Sequence, residues 1–254
     1  AIPTLISRAV GAFIILALAA QHEYVLHITP RSVTHLERGT VQSILRIGIP
    51  SACENSLFQL GRVLVVSMIS LFGTVHISAN AVANNLDAVG AIIGQAMGLA
   101  IITVVGHCVG AQDMQQVVYY TKKLMLWDYI AQGIANAAVI LSLGVVLNMN
   151  TLSPETRSLA AELVIIHCAM GILIWPAAFV LPNALRAAND VKFTMIVSIA
   201  SMACWRVGFS YIIGVRMGMG AIGVWIAMVV DWVCRVVCFV LRFRSGVWKT
   251  KYIA

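Results

Sequence analysis

The chain has 254 residues, of which 60% are hydrophobic and only 11% charged, with a net charge of +7 and a mean hydropathy of +0.91. A soluble domain carries roughly a quarter charged residues, so this composition cannot cover a water-facing surface. The basic residues lie in short segments between apolar runs and in the tail. They do not alternate with exposed aromatics, which excludes a nucleic-acid module and leaves anionic lipid headgroups of the bilayer as their partners.

The apolar residues gather into runs of roughly 19 to 27, enough to cross a hydrocarbon core of about 30 Å. Runs and breakers predict spans near 2–20, 47–71, 80–106, 124–147, 159–182, 193–215 and 220–241. The expected fold class is therefore all-α, a polytopic membrane helical bundle of about seven spans. After the first span comes a polar stretch, 21–46, containing Pro30 and Gly39, which reads as a linker between two structural units. The other connections are short, such as FGTVHIS at 72–78 and NMNTLSPETR at 148–157.

Orientation follows from the positive-inside bias. One set of loops, with the tail, holds Arg31, Arg38, Arg46, Lys122, Lys123, Arg186, Lys192, Arg242, Arg244, Lys249 and Lys251; the opposite set holds Arg157 and Arg216. The first set is expected in the cytoplasm, with residue 1 outside and the C-terminus inside. No hydrophilic head precedes the first span, so residue 1 is expected to follow further chain. The six cysteines fall in spans or near one membrane face and read as small packing residues rather than a disulfide framework or a zinc site.

Charge at bilayer depth is expensive and each instance requires a reason. Arg8 lies in the first span. In the second, Glu54 follows Pro50 by one helical turn, and that proline frees backbone carbonyls near the carboxylate. At about 100° per residue, Asn55, Gln59 and Arg62 fall within about 140° of Glu54, a polar arc suited to a cavity or to the bundle interior. A carboxylate satisfied by a neighbouring helix is the competing reading. The third span carries Asn80, Asn84, Asp87 and Gln95 at helical spacing, with Ala91 and Gly98 on the same stripe. Such a face lines a cavity or forms interhelical hydrogen bonds.

Asp128 and Glu162 are placed near span ends, within reach of the interface. His167 is an intramembrane histidine, read as hydrogen-bonded packing ahead of a proton relay. Pro176 and Pro182 are expected to kink the fifth span, either as part of a moving element or within a static bundle. In the last span Asp231 and Arg235 stand four apart and can form a structural ion pair along the helix, which Arg206 can join from the span before.

Four collinear stretches carry a family resemblance. ILRIGIPSACENSLFQLG at 44–61 resembles the opening of the seventh helix of the MATE family (multidrug and toxic compound extrusion transporters). ANAVANNLDAVGAIIGQAMGLAIITVVGHCVGAQD at 79–113 resembles the eighth, and LPNALRAANDVKFTMIVSIAS at 181–201 the junction of the tenth and eleventh. GAIGVWIAMVVDWVCRVVCFVLRFRSGVWK at 220–249 resembles the twelfth. The resemblance implies a twelve-helix transporter of two six-helix lobes. Residues 1–20 would be the last helix of the first lobe, 21–46 the cytoplasmic interlobe linker, and 47–254 the second lobe, with the missing N-terminal lobe as its partner.

The implied activity is antiport in the cell membrane: export of small organic cations, drugs or amphiphiles in exchange for Na⁺ or H⁺, by alternating access. No cofactor is implied beyond that coupling ion, and no metal site. Glu54 falls on the family's coupling carboxylate. Some bacterial members place a partner Asp in the tenth helix; the matching position here is close to Trp175, and Asp87 is the candidate for the missing charge. Asn55, Gln59, Asn80, Asn84 and Gln95 are the candidate cavity and substrate-lining residues.

Two rival readings remain. A lipid or lipid-linked oligosaccharide flippase of the same superfamily would call for a large basic cavity. A seven-helix receptor matches the span count, but the last span holds no lysine and the outer loops no cysteine pair. An enzyme is not expected, since no HExxH, GxSxG or P-loop motif occurs.

Overall fold

A computed structural model describes residues 2–19 and 37–253. The chain divides into two compact units, 1–48 and 49–254. Seven long helices account for the described residues: α1 (Ile2–Ala19), α2 (Arg38–Ser70), α3 (Thr74–Gly110), α4 (Met114–Met149), α5 (Pro154–Ala187), α6 (Val191–Arg216) and α7 (Gly220–Ser245). A 3₁₀ turn, Val247–Ile253, follows. Most of the polar stretch expected as a linker, including Pro30, lies outside the described residues.

Helices α3 to α7 are each long and apolar enough to cross a membrane. In α1 only a shorter segment, Leu5–Leu18, is comparably apolar. Helix α2 carries Arg46, Glu54 and Arg62 along its length, which dilutes its hydropathy. Most helices outrun their apolar runs. Helix α2 starts at Arg38, not near 47, and α3 starts at Thr74, so the loop expected at 72–78 shrinks to a turn at Gly73, whose φ of 93° suits glycine. The polar ends project beyond the hydrocarbon depth that hydropathy measures.

Caps explain the tight connections. The Asp113 side chain accepts from the backbone N–H groups of Gln115 and Gln116 at 3.1 and 3.0 Å, and so starts α4 with only three residues between it and α3. Ser153 accepts from Thr156 N–H at 3.3 Å at the head of α5, with Pro154 in the first turn, where its missing N–H costs nothing.

Within the second unit, α3 packs against α4 and α5, and α7 against α5 and α6. One core gathers Leu163, Val164, Trp225 and Trp232; a second gathers Ile101, Val105, Leu185 and Phe239. Ile134, Leu141 and Leu241 stand exposed, an apolar exterior that suits lipid.

Both expected kink prolines of the fifth span lie within α5. Pro176 has no N–H to give the carbonyl of Ile172, and the helix widens there to a π-turn over Pro176–Val180, closed by Leu181 N–H on the Pro176 carbonyl. The helix then continues through Pro182 to Ala187. Helix α6 is wound as a π-helix from Met202 to Arg216. Helix α2 passes through Pro50 without ending. It meets the other helices through side chains: Phe58 packs edge-on against Phe179 at 6.4 Å, and Gly61 faces Met202.

Candidate functional site: a polar cavity walled by α2, α3, α5, α6 and α7

A cavity of about 920 Å³ opens in the second unit. Glu54, Asn55, Gln59 and Arg62 of α2 and Asn80, Asn84, Asp87 and Gln95 of α3 all line it, so the two polar faces read from the sequence meet across one space. The aromatic wall comes from Phe58, Trp175, Phe179, Trp225 and Trp232.

The α3 face is shaped by its small residues. Gly94 lies against Trp175 and Gln132, and Gly98 against Asn183; a Cβ at either position would meet those side chains at under 3.0 Å. The absent side chains let α4 and α5 approach α3, and they bring Trp175 to the cavity wall. Asn80 accepts from Trp225 Nε1 at 3.0 Å, and Asn84 donates to the Asn80 carbonyl at 2.8 Å.

Glu54 is 9% exposed, and it is not unpaired. Arg186 Nη2 donates to its Oε1 at 2.5 Å, while Arg186 Nη1 donates to Asn183 Oδ1 at 2.6 Å. The second carboxylate oxygen, Oε2, is buried without a hydrogen-bond partner among the described residues. Arg186 was expected only as a cytoplasmic loop charge. It stands instead on the last turn of α5, because that helix does not stop at Pro182. The sequence held a signal for it in LPNALR, where Asn183 and Arg186 stand three apart, one helical turn.

Asp87 has a partner as well. His167 Nδ1 of α5 lies 2.8 Å from Asp87 Oδ1, an ion-pair distance, although the ring is not aligned for a good hydrogen bond. The imidazole also meets Trp225 and Trp232 edge-on, at centroid distances of 5.3 and 4.7 Å. His167 is therefore packed among aromatic rings and faces a carboxylate.

Behind the wall, Asp231 and Arg235 form the expected pair, Nε to Oδ1 at 3.0 Å, both buried. Ser201 donates a short hydrogen bond to the same oxygen. Arg206 joins more distantly, its Nη1 at 3.7 Å from Asp231 Oδ2, and gives Nη2 to Met228 Sδ at 2.9 Å. Arg206 and Arg235 both lie over the Phe58 ring, at 5.5 and 5.7 Å.

One expectation for α4 is overturned. Asp128 does not reach an interface: it is fully buried, with the Gln132 side chain as its polar neighbour. Close packing of α4 on α3 and α5 encloses it one turn above the buried Gln132. Glu162 is exposed, as expected.

The comparisons with known proteins agree with this architecture. The MatE family model matches residues 50–212, more than half of the chain. The uncharacterized transporter YisQ of Bacillus subtilis is 27% identical over 262 residues, covering 100% of this chain and 55% of its own. The probable multidrug resistance protein NorM of Thermotoga maritima is 23% identical, covering 100% of this chain and 54% of its own. The chain thus spans about half the length of the curated relatives it matches.

Among solved structures, an outward-facing multidrug resistance MATE family transporter of the MOP superfamily superposes with a TM-score of 0.84 at 20% identity, over 97% of this chain and 56% of that one. A MOP superfamily transporter from Pyrococcus furiosus, described as having a binding pocket of reversed polarity, gives 0.79 at 20% identity over the same shares. The bundle and the family match together make this a multi-pass membrane protein, and the chain belongs to the MatE family of transporters.

Proposed function

We propose that the chain is the second lobe, with one preceding helix, of a secondary transporter that exports amphiphilic organic compounds in exchange for Na⁺ or H⁺ by alternating access. Residues 1–20 are assigned to the end of a first lobe, 21–46 to a cytoplasmic linker and 47–254 to the second lobe. Residue 1 lies outside and the C-terminus in the cytoplasm. The length of the relatives, about twice that of this chain, supports a partner lobe.

The observation that carries the reading is the Glu54–Arg186 pair at the cavity wall. Glu54 stands on α2 just after Pro50, and Arg186 on the segment of α5 beyond its π-turn. A proton or a Na⁺ at Glu54 competes with Arg186 for the same carboxylate, so ion arrival weakens the tie between α2 and the end of α5. The unpartnered Oε2 is the site open to that ion. Substrate in the cavity reaches the same pair, which is enough to link the two fluxes. Asp87 with His167 is the second candidate for ion binding.

The test uses the intact transporter in proteoliposomes, loaded with an amphiphilic dye under separately imposed Na⁺ and pH gradients. Glu54→Gln is expected to abolish gradient-driven movement while leaving membrane insertion intact. Driven export at the wild-type rate would remove Glu54 from the coupling step.

A lipid flippase of the same superfamily is the second reading. The arginine content of the cavity wall favours it, and phospholipid scrambling or flipping in the same vesicles separates it from dye export.

A further inference from the structure

The cavity lining carries three arginines, Arg62, Arg186 and Arg206, against two carboxylates, Glu54 and Asp87. How these charges are paired matters more than the count. Arg186 is committed to Glu54, and His167 faces Asp87. Asp231, just behind the wall, is held by Arg235 at 3.0 Å and by Ser201, leaving Arg206 at 3.7 Å with the weaker share. Arg206 Nε is buried without a hydrogen-bond partner. Arg62 has no hydrogen-bond or ion-pair partner among the described residues, and it is exposed toward the cavity it lines.

The positive charge left over therefore sits at Arg62, with Arg206 only partly neutralised by Asp231 beside it on the cavity wall. Phe58 joins them: Arg206 lies over its ring, and Arg62 is one helical turn further along α2. In a cleft with low-dielectric walls such a surplus is focused rather than screened, and it repels a cation.

From this geometry we infer that the cavity takes an amphiphile with an anionic head group, seated between Arg62 and Arg206, its apolar body on the aromatic wall of Trp175, Phe179 and Trp225. The inference rests on the transporter reading for its site and deepens it by choosing the sign of the substrate, against the organic cations that the family resemblance implies. A carboxylate, sulfonate or phosphate head supplies the countercharge that Arg62 lacks among the described residues and that Arg206 has only in part from Asp231. A lipid head group and a free organic anion share this chemistry.

The test is a matched pair of fluorescent probes with one apolar body: pyrenebutanoate and a pyrenebutyl-trimethylammonium salt. Both are titrated against the intact transporter in detergent, where no gradient is needed. The anion is expected to bind at least about tenfold more tightly than the cation. Arg62→Gln is expected to weaken anion binding by about tenfold or more, Arg62→Lys to retain most of it, and Asp87→Asn to tighten it. Equal or tighter binding of the cation overturns the inference. So does an Arg62→Gln variant that binds the anion as the wild type does, or an Asp87→Asn variant that binds it more weakly.

Nanodiscs of phosphatidylcholine, with and without phosphatidylglycerol, separate the two sources. Competition by phosphatidylglycerol marks a lipid head group as the ligand, and its absence marks a free anion. A protein that binds the anion but moves it under neither a Na⁺ nor a pH gradient refutes the antiport reading and leaves the charge preference standing.

Discussion

Gly94 and Gly106 lie on the same helix, α3, and differ in what a methyl group would meet. At Gly94 a Cβ would sit 2.0 Å from Trp175 Cζ3 and 2.2 Å from Gln132 Nε2; at Gly106 nothing lies within 4 Å. Alanine is favoured over glycine inside a helix by about 1 kcal/mol, and that gain applies equally at both positions. Overpacking costs about 1–3 kcal/mol and applies only at Gly94, where an indole and a buried amide must both move. Gly106→Ala is therefore expected to raise stability by about 0.5–1 kcal/mol, less any loss from its partial exposure. Gly94→Ala is expected to fall below it by the steric term alone, about 1–3 kcal/mol. At about 2–4 °C per kcal/mol for a chain of this size, the two melting temperatures should separate by several degrees in one detergent. Because Trp175 lines the cavity, Gly94→Ala should also slow dye transport, whereas Gly106→Ala should not. Coincident melting curves, or a Gly94→Ala variant more stable than Gly106→Ala, would refute the claim that this glycine exists to admit Trp175 and Gln132.

Three further outcomes follow from the charge pairs. Glu54→Gln and Arg186→Gln each leave one charge without its partner, so the double variant should melt above either single. A coupling of about 1–3 kcal/mol is expected, reduced by the partial exposure of Arg186, and strict additivity would show the pair uncoupled. Asp231→Asn removes the carboxylate that Arg235 and Arg206 share in a fully buried position; a loss of about 3–5 kcal/mol is expected, read as lower folded yield and melting temperature. Adding Arg235→Met should recover part of it, and a double variant no better than the single would point to some other defect. Asp128 is a buried carboxylate with no cation partner among the described residues, so Asp128→Asn should stabilise the bundle by about 1 kcal/mol or more, seen as a higher melting temperature. A lower one would mean that the charge is satisfied in the membrane by a group it must keep.

Hydropathy and breaker residues made the helical bundle legible, most plainly for α3 to α7. Bilayer thickness imposes a length, the backbone must satisfy its own hydrogen bonds, and runs of that length between polar breakers leave helices as the only spanning form. The polar stripes on α2 and α3 were legible for the same reason: a helix repeats every 3.6 residues, so Glu54 with Gln59, and Asn80 with Asn84 and Asp87, fall on one side without any knowledge of neighbours. The Asp231–Arg235 pair, four apart on one helix, is equally local.

Tertiary structure decided the partners. That Glu54 meets Arg186 depends on residues 132 positions apart, and on α5 running past Pro182 with a π-turn that no helical period encodes. That His167 faces Asp87, that Asp128 is enclosed rather than interfacial, and that Arg62 is left without a countercharge are results of three-dimensional packing. A sequence shows which charges are costly in a bilayer. Only the fold shows which of them have been neutralised, and here it leaves Arg62 as the cavity arginine without a countercharge among the described residues.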